Sequence, residues 1–159
     1  PSRACLSNAM NVGHPSNLAR FFELYGGTVD RTGIVHQAPD LEAMRKNIFS
    51  VAVSDEETRQ TIRRAYEQYG LLLEPHGAVG WRGLERYLEQ AAGTSPLCVS
   101  LETAHPAKFP EEIESLLGIS PKLPAGMRDI DLRSGEPLPM TADYERFRQF
   151  LLVTLKSAD

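Results

Sequence analysis

The chain has 159 residues, of which 24% are charged, and a net charge of −4. That length suits one domain with a core of its own, and the acidic balance offers no basic field to nucleic acid or an anionic membrane surface. No apolar run is long enough to cross a bilayer and none reads as a signal peptide, so a cytoplasmic protein is expected.

The opening, PSRACLSNAM, has no initiator Met and reads as the start of a processed chain or a fragment. HPSNLARFFELYGG follows, with a Pro-Ser-Asn entry, then Leu18, Phe21, Phe22 and Tyr25 on one helical face, and Gly26-Gly27 as a stop. Residues 28–38 read as loop. PDLEAMRK suits a short helix with Pro39 in its first turn. IFSVAV, residues 48–53, is short, β-rich and apolar enough for a buried strand. SDEETRQTIRRAYEQYG carries the fullest set of helix signals: a capping box from Ser54 to Glu57, acids in the first turn, arginines beyond, and Gly70 to end it.

LLLEPHGAVGWRGLERYLEQAAG gives a brief apolar segment, a turn at Glu74-Pro75, and a helix offering Val79, Leu84, Tyr87 and Leu88 to the core. LCVSLE is the next expected strand, and FPEEIESLLG the helix after it, with Pro110 and two glutamates at its start. Prolines and glycines in ISPKLPAGMRDIDLRSGEPLP predict a long surface connection. TADYERFRQFLLVTL predicts a terminal amphipathic helix, capped by Thr141, with Tyr144, Phe147, Leu151 and Leu155 spaced for burial.

Alternating strands and helices favour an α/β architecture with a mainly parallel sheet. Two strands make too small a sheet, because parallel strands need neighbours and cover on both faces. The remaining strands are expected upstream of this chain.

In open α/β sheets, ligands bind beyond the carboxyl ends of the strands. Two such ends are expected, at Ser54 and at Thr103. A helix cap accounts for Ser54. Thr103 opens TAHPAKFP, which gathers a hydroxyl, an imidazole (His105) and an amine (Lys108). A Schiff-base lysine needs a desolvated pocket. Lys46, Lys122 and Lys156 sit in polar or proline-rich surroundings, and for Lys108 a positioning or anion-neutralising role is favoured over that of a nucleophile. His14, His36, His76 and His105 have no ligand partner at helix-pair spacing, and Cys5 and Cys98 are far apart, so no metal site is expected. A Ser-His-Asp triad is spatial and not decided by spacing. There is no G-x-S-x-G elbow, P-loop or G-x-G-x-x-G. Three glycines in HGAVGWRG would suit either backbone approach to a ligand or close helix-sheet packing.

Three ordered blocks, LSNAMNVGHPSNLARF, VSDEETRQTIRRAYEQYGLLLEPHGAVGWRGLERYL and TAHPAKFPEEIESLLG, resemble the C-terminal part of threonine synthase in its longer form. They cover most of residues 5–118, and a tail ending in an amphipathic helix also fits. The resemblance implies an incomplete three-layer αβα piece of the large domain of a type II (tryptophan synthase β-like) pyridoxal phosphate enzyme. Residues 1–120 would be the C-terminal part of that domain, and residues 121–159 an extension with the terminal helix. It implies conversion of O-phosphohomoserine and water to L-threonine and phosphate, with pyridoxal 5′-phosphate as electron sink. The Schiff-base lysine and the loop for the coenzyme phosphate are expected in a missing N-terminal portion. No catalytic residue is therefore carried over to this chain, which alone is expected to be inactive. Thr103 in LETAHPAKF matches the family's Ser or Thr facing the pyridine nitrogen, where a weakly acidic hydroxyl leaves that nitrogen largely unprotonated. The family pattern DVGNPSN stands here as NVGHPSN, so no contacts are carried over to Asn11 or His14.

Two alternatives stand beside this. One is part of another type II enzyme, such as a threonine dehydratase-like lyase. The other is a non-catalytic α/β domain that binds a ligand or a partner, against which the short strand inventory weighs.

Overall fold

The computed structural model describes residues 4–13, 15–91, 97–127, 135 and 138–156, the side chains of residues 10, 155 and 156 apart. Expectations for His14, for the side chains of Leu155 and Lys156, and for much of the connection after residue 127 lie outside the described residues. The chain divides into two units, Pro1–Lys122 and Leu123–Asp159.

The first unit runs α1 (Ser16–Leu24), β1 (Thr28–Val29), β2 (Val35–Gln37), α2 (Leu41–Asn47), α3 (Asp55–Tyr69), α4 (Pro75–Gln90) and α5 (Pro110–Leu117). Its core lies where α3, α4 and α5 meet. Ile62, Ala65, Leu73, Ala78 and Ile113 are buried there, with Trp81, Leu116 and Ile119 packed against them. Thr58, Thr61, Ile62 and Ala65 are the buried face of α3, at the spacing that brings side chains onto one helical stripe. The Thr58 hydroxyl donates to the Ser54 carbonyl at 2.8 Å, so that polar group is satisfied within the helix. Arg59 Nε pairs with Glu112 Oε1 at 2.7 Å and ties α3 to α5.

The ends of α3 follow the sequence signals. The Ser54 hydroxyl accepts from the Glu57 N–H at 3.3 Å, and the Glu57 carboxylate accepts from the Ser54 N–H at 3.0 Å. Gly70, at φ 64°, turns the chain out of the helix. α5 likewise starts at Pro110 with Glu111 and Glu112 in its first turn, and stops at Gly118 with φ 67°.

Residues 28–38 are not loop but an antiparallel hairpin, pairing Thr28 with Gln37 and Val29 with Val35. Asp30 organises its turn. One carboxylate oxygen accepts from Thr32 N (2.8 Å), Thr32 Oγ1 (2.6 Å) and Ile34 N (3.1 Å), and the other meets His36 Nε2 at 2.8 Å. Those bonds, the Thr32 hydroxyl foremost and then His36, hold the Asp30 carboxyl well below the ordinary carboxylate range. Pro39 lies outside the next helix rather than in its first turn: Asp40 caps α2, accepting from Glu42 N at 3.1 Å and Ala43 N at 3.0 Å. Pro39 instead packs against Gly27, where an added Cβ would stand 2.7 Å from its nitrogen.

Neither expected strand, 48–53 or 97–102, is paired into a ladder; among the described residues β1 and β2 form the one sheet. A strand needs a hydrogen-bonded neighbour, and these segments have none here. They are the unpaired strands of a partial α/β piece. The second of them alternates: Leu97, Val99 and Leu101 are 96%, 75% and 78% exposed, whereas Cys98 and Ser100 are half-buried.

In α4 the Glu74-Pro75 pair is the helix start itself, with Glu74 as cap and Pro75 at the first position. Val79 and Leu84 are half-buried as expected, but Tyr87 and Leu88 are exposed, and Trp81 supplies the large core-facing side chain. The second unit holds α6 (Tyr144–Lys156). Asp143, not Thr141, caps it, accepting from Arg146 N at 2.8 Å; Thr141 Oγ1 accepts from the Arg146 guanidinium at 3.3 Å. Tyr144, Phe147 and Leu151 are exposed rather than buried. No helix among the described residues is long and apolar enough to cross a membrane.

Candidate functional site

The three glycines of α4, Gly77, Gly80 and Gly83, are each met by a residue of an extended segment. A Cβ on Gly77 would fall on the Glu102 carboxylate. One on Gly80 would stand 3.3 Å from Ser100 Oγ, and one on Gly83 would stand 3.7 Å from Val51 Cγ1. These glycines let residues 97–102 and 48–53 lie close on the helix. Of the two uses open to them in the sequence, close packing is the one observed.

Thr103 follows Glu102 directly and is exposed. No other described residue occupies its hydroxyl with a hydrogen bond, so that group is available to an external acceptor or donor. His105 turns the chain: its Nδ1 accepts from Ala107 N at 3.1 Å and caps a single 3-10 turn, Pro106–Lys108. With Nδ1 accepting, a neutral His105 carries its proton on Nε2. Lys108 ends the turn with an exposed side chain, which suits a solvated cation better than a desolvated nucleophile. Phe109 then leads into α5, its N–H donating to the Pro106 carbonyl at 2.9 Å.

Beneath this turn lies a pair that the sequence did not single out. Glu74 is fully buried and His76 nearly so. One Glu74 oxygen accepts from Gly77 N at 2.7 Å, and the other from His76 N at 2.8 Å and His76 Nδ1 at 2.7 Å. A carboxylate accepts, so the imidazole proton must sit on Nδ1. The His76 ring lies 5.4 Å from that of Phe109, tilted by 50°. His76 Nε2 and Ser100 Oγ are buried with no hydrogen-bond partner among the described residues. Burial, and secondarily the charge of Glu74, raise the Glu102 carboxyl above its ordinary value.

The structure thus brings together Thr103, His105 and Lys108 and adds Glu74, His76, Glu102 and Phe109. One signal could have marked the pair: Glu is an uncommon cap where Ser, Thr, Asp or Asn is preferred. His36 belongs to the hairpin turn, and Ser54 is the α3 cap already anticipated. A larger cavity of about 580 Å³ lies between α3 and α4, lined by Glu57, Thr61, Arg64, Arg82 and Glu85 among others. Its arginines are taken up by its glutamates, with Arg64–Glu85 at 2.5 Å and Arg82–Glu89 at 2.9 Å. That groove is a neutralised ion-pair ladder, so the turn at 103–109 is the better candidate despite its smaller volume. Among the described residues no three His, Cys, Asp or Glu side chains gather as a metal site.

A family model described as "Threonine synthase, C-terminal" matches residues 77–151. The threonine synthase of Serratia marcescens is 35% identical over 152 residues, covering 94% of this chain and 30% of its own length. The chain therefore spans about a third or less of the curated relatives it matches. A PLP-bound threonine synthase structure from Brucella melitensis aligns over 95% of this chain and 34% of its own, with a TM-score of 0.74 and 28% identity. The yeast threonine synthase structure aligns over 99% of this chain and 37% of its own, with a TM-score of 0.76 and 26% identity.

Proposed function

The chain corresponds in sequence and fold to the C-terminal part of the threonine synthases, and on that premise we propose that it serves, within an intact enzyme, the conversion of O-phosphohomoserine and water to L-threonine and phosphate. Pyridoxal 5′-phosphate, when bound, supplies the electron sink for that chemistry. The observation that carries the reading is Thr103: an exposed, uncommitted hydroxyl at the end of an extended segment, in the family motif TAHPAKF. A hydroxyl fits a ring nitrogen as a weak donor and, unlike a carboxylate, does not stabilise its protonated form.

The other residues of the turn have supporting work. His105 caps the 3-10 turn and Lys108 adds a solvated positive charge beyond it. No lysine of this chain takes the Schiff-base role, which belongs to the N-terminal portion of such enzymes. The chain by itself is accordingly inactive, its partner in catalysis being that portion, and the intact enzyme works in the cytoplasm. Residues 1–120 complete the coenzyme-binding domain and residues 121–159 extend it.

The test is to supply the intact protein with pyridoxal 5′-phosphate and O-phosphohomoserine. Threonine and phosphate should appear in equal amounts, while the chain alone yields neither. Keto-acid formation from threonine without threonine synthesis would place the protein among the dehydratase-like lyases instead.

A further inference from the structure

The first turn of α4 holds both ends of the segment that carries Thr103. His76 and Gly77 are adjacent in the chain. Gly77 receives Glu102, the residue before Thr103, in the space its missing side chain leaves. His76 receives Phe109, the residue after Lys108, with the rings 5.4 Å apart. Glu74 bonds both His76 and Gly77, through their backbone N–H groups and the His76 Nδ1–H.

A capping role alone does not call for this arrangement. Ser, Thr, Asp or Asn would satisfy the two N–H groups without sinking a glutamate carboxylate so far from water. The Glu74 side chain is 0% exposed and the His76 side chain 4%. What Glu adds is the third bond, which fixes the imidazole in one tautomer and one orientation. A ring so fixed gives Phe109 a rigid seat.

We propose that Glu74 and His76 are positioning residues for Thr103. The carboxylate fixes the imidazole, the imidazole seats Phe109, and Gly77 seats Glu102, so the 103–108 turn is clamped at both ends. Support from behind is what holds a contact group to the fraction of an ångström that its chemistry requires. The functional half rests on Thr103 facing the coenzyme ring; the clamp itself does not.

The test uses the intact protein and leaves Glu74 in place, because removing a buried carboxylate that caps α4 threatens the helix start. Phe109→Leu removes the ring contact, His76→Asn keeps a donor to Glu74 but loses the ring, and Phe109→Tyr keeps the contact. Backbone hydrogen exchange without coenzyme reads the clamp. Both disruptive variants should speed exchange at 103–109 about tenfold while leaving the α3 amides around Ile62 unchanged, and Phe109→Tyr should match the parent. Unchanged exchange at 103–109 in Phe109→Leu, or acceleration spread evenly over α3 and α4, overturns the clamp. Coenzyme affinity and absorbance then read the functional half. In the disruptive variants affinity should weaken about tenfold, the absorbance band should shift, and kcat should fall with KM for O-phosphohomoserine nearly constant. A loosened turn with unaltered coenzyme affinity and spectrum overturns the placing of Thr103 at the ring.

Discussion

The Glu102 carboxylate lies where a side chain on Gly77 would have to stand. In a helix, Gly→Ala ordinarily stabilises by about 0.5–1 kcal/mol. Here the sign should depend on position. Gly83→Ala, whose new methyl group meets Val51 at an ordinary 3.7 Å, should keep the gain. Gly80→Ala, tighter at 3.3 Å from Ser100, should be near neutral. Gly77→Ala must expel Glu102 and should cost about 1–3 kcal/mol, the usual range for overpacking. Urea unfolding of the three variants gives the order directly; equal effects at all three sites would refute the close packing.

Ser54→Ala removes the hydroxyl half of the α3 cap and should cost about 1 kcal/mol at neutral pH. The Glu57 carboxyl is lowered from 4.5 by the Ser54 N–H first, then by the Ser54 hydroxyl, with Arg86 adding to it. A folded value below the unfolded one means stability that is present above 4.5 and lost as pH falls through the folded value. The deficit of the variant should therefore shrink in that acid range. Thermal midpoints of both proteins across it would show the convergence.

Glu102 should behave in the opposite sense. Its carboxyl is raised above 4.5 by burial and then by Glu74, so the folded state binds the proton more tightly than the unfolded. Stability is lost as pH rises from 4.5 through the raised value and then levels off. Glu102→Gln has no such charge. It should match the parent in acid and exceed it at neutral pH, by an amount tempered because the group is partly solvated. Denaturant midpoints of the pair as a function of pH decide it, and a constant gap would count against this account.

Val99 is three-quarters exposed in a row with Leu97 and Leu101, on a segment whose backbone has no strand neighbour. Bare edges of this kind invite association. At rising concentration the chain should self-associate, and Val99→Lys should weaken that association about tenfold, as loss of one buried apolar side chain would. Sedimentation at several concentrations measures it; a monomer in both cases would rule the edge out as the cause.

What the sequence made legible is what its local chemistry determines. The α3 helix is written in its own residues, from the Ser54–Glu57 box to Gly70, and so is α5 from Pro110 to Gly118. The turn at 103–108 was legible because its prolines and hydroxyl follow an apolar run. The hairpin was not, since its strands are only two and three residues long and one side chain, Asp30, holds its turn together. Thr141 and Asp143 are both good capping residues two apart, and composition does not choose between them. Tyr87 and Leu88 carry the apolar pattern of α4 while Trp81 carries the packing, because helical spacing gives a face and not the neighbours that cover it. The Glu74–His76 pair was hidden for the same reason: burial of a charge is a tertiary fact.

The alternation along residues 97–103 has a further consequence. Even-numbered Ser100 and Glu102 turn toward the glycines of α4, so odd-numbered Leu97, Val99, Leu101 and Thr103 share the opposite face. The parity of one short segment thus decides which residues look at the helix and which look away. Deleting a single residue between 97 and 103 would exchange the two sets, sending the Thr103 hydroxyl into the helix and the Glu102 charge out. Length here is as strict a requirement as residue identity.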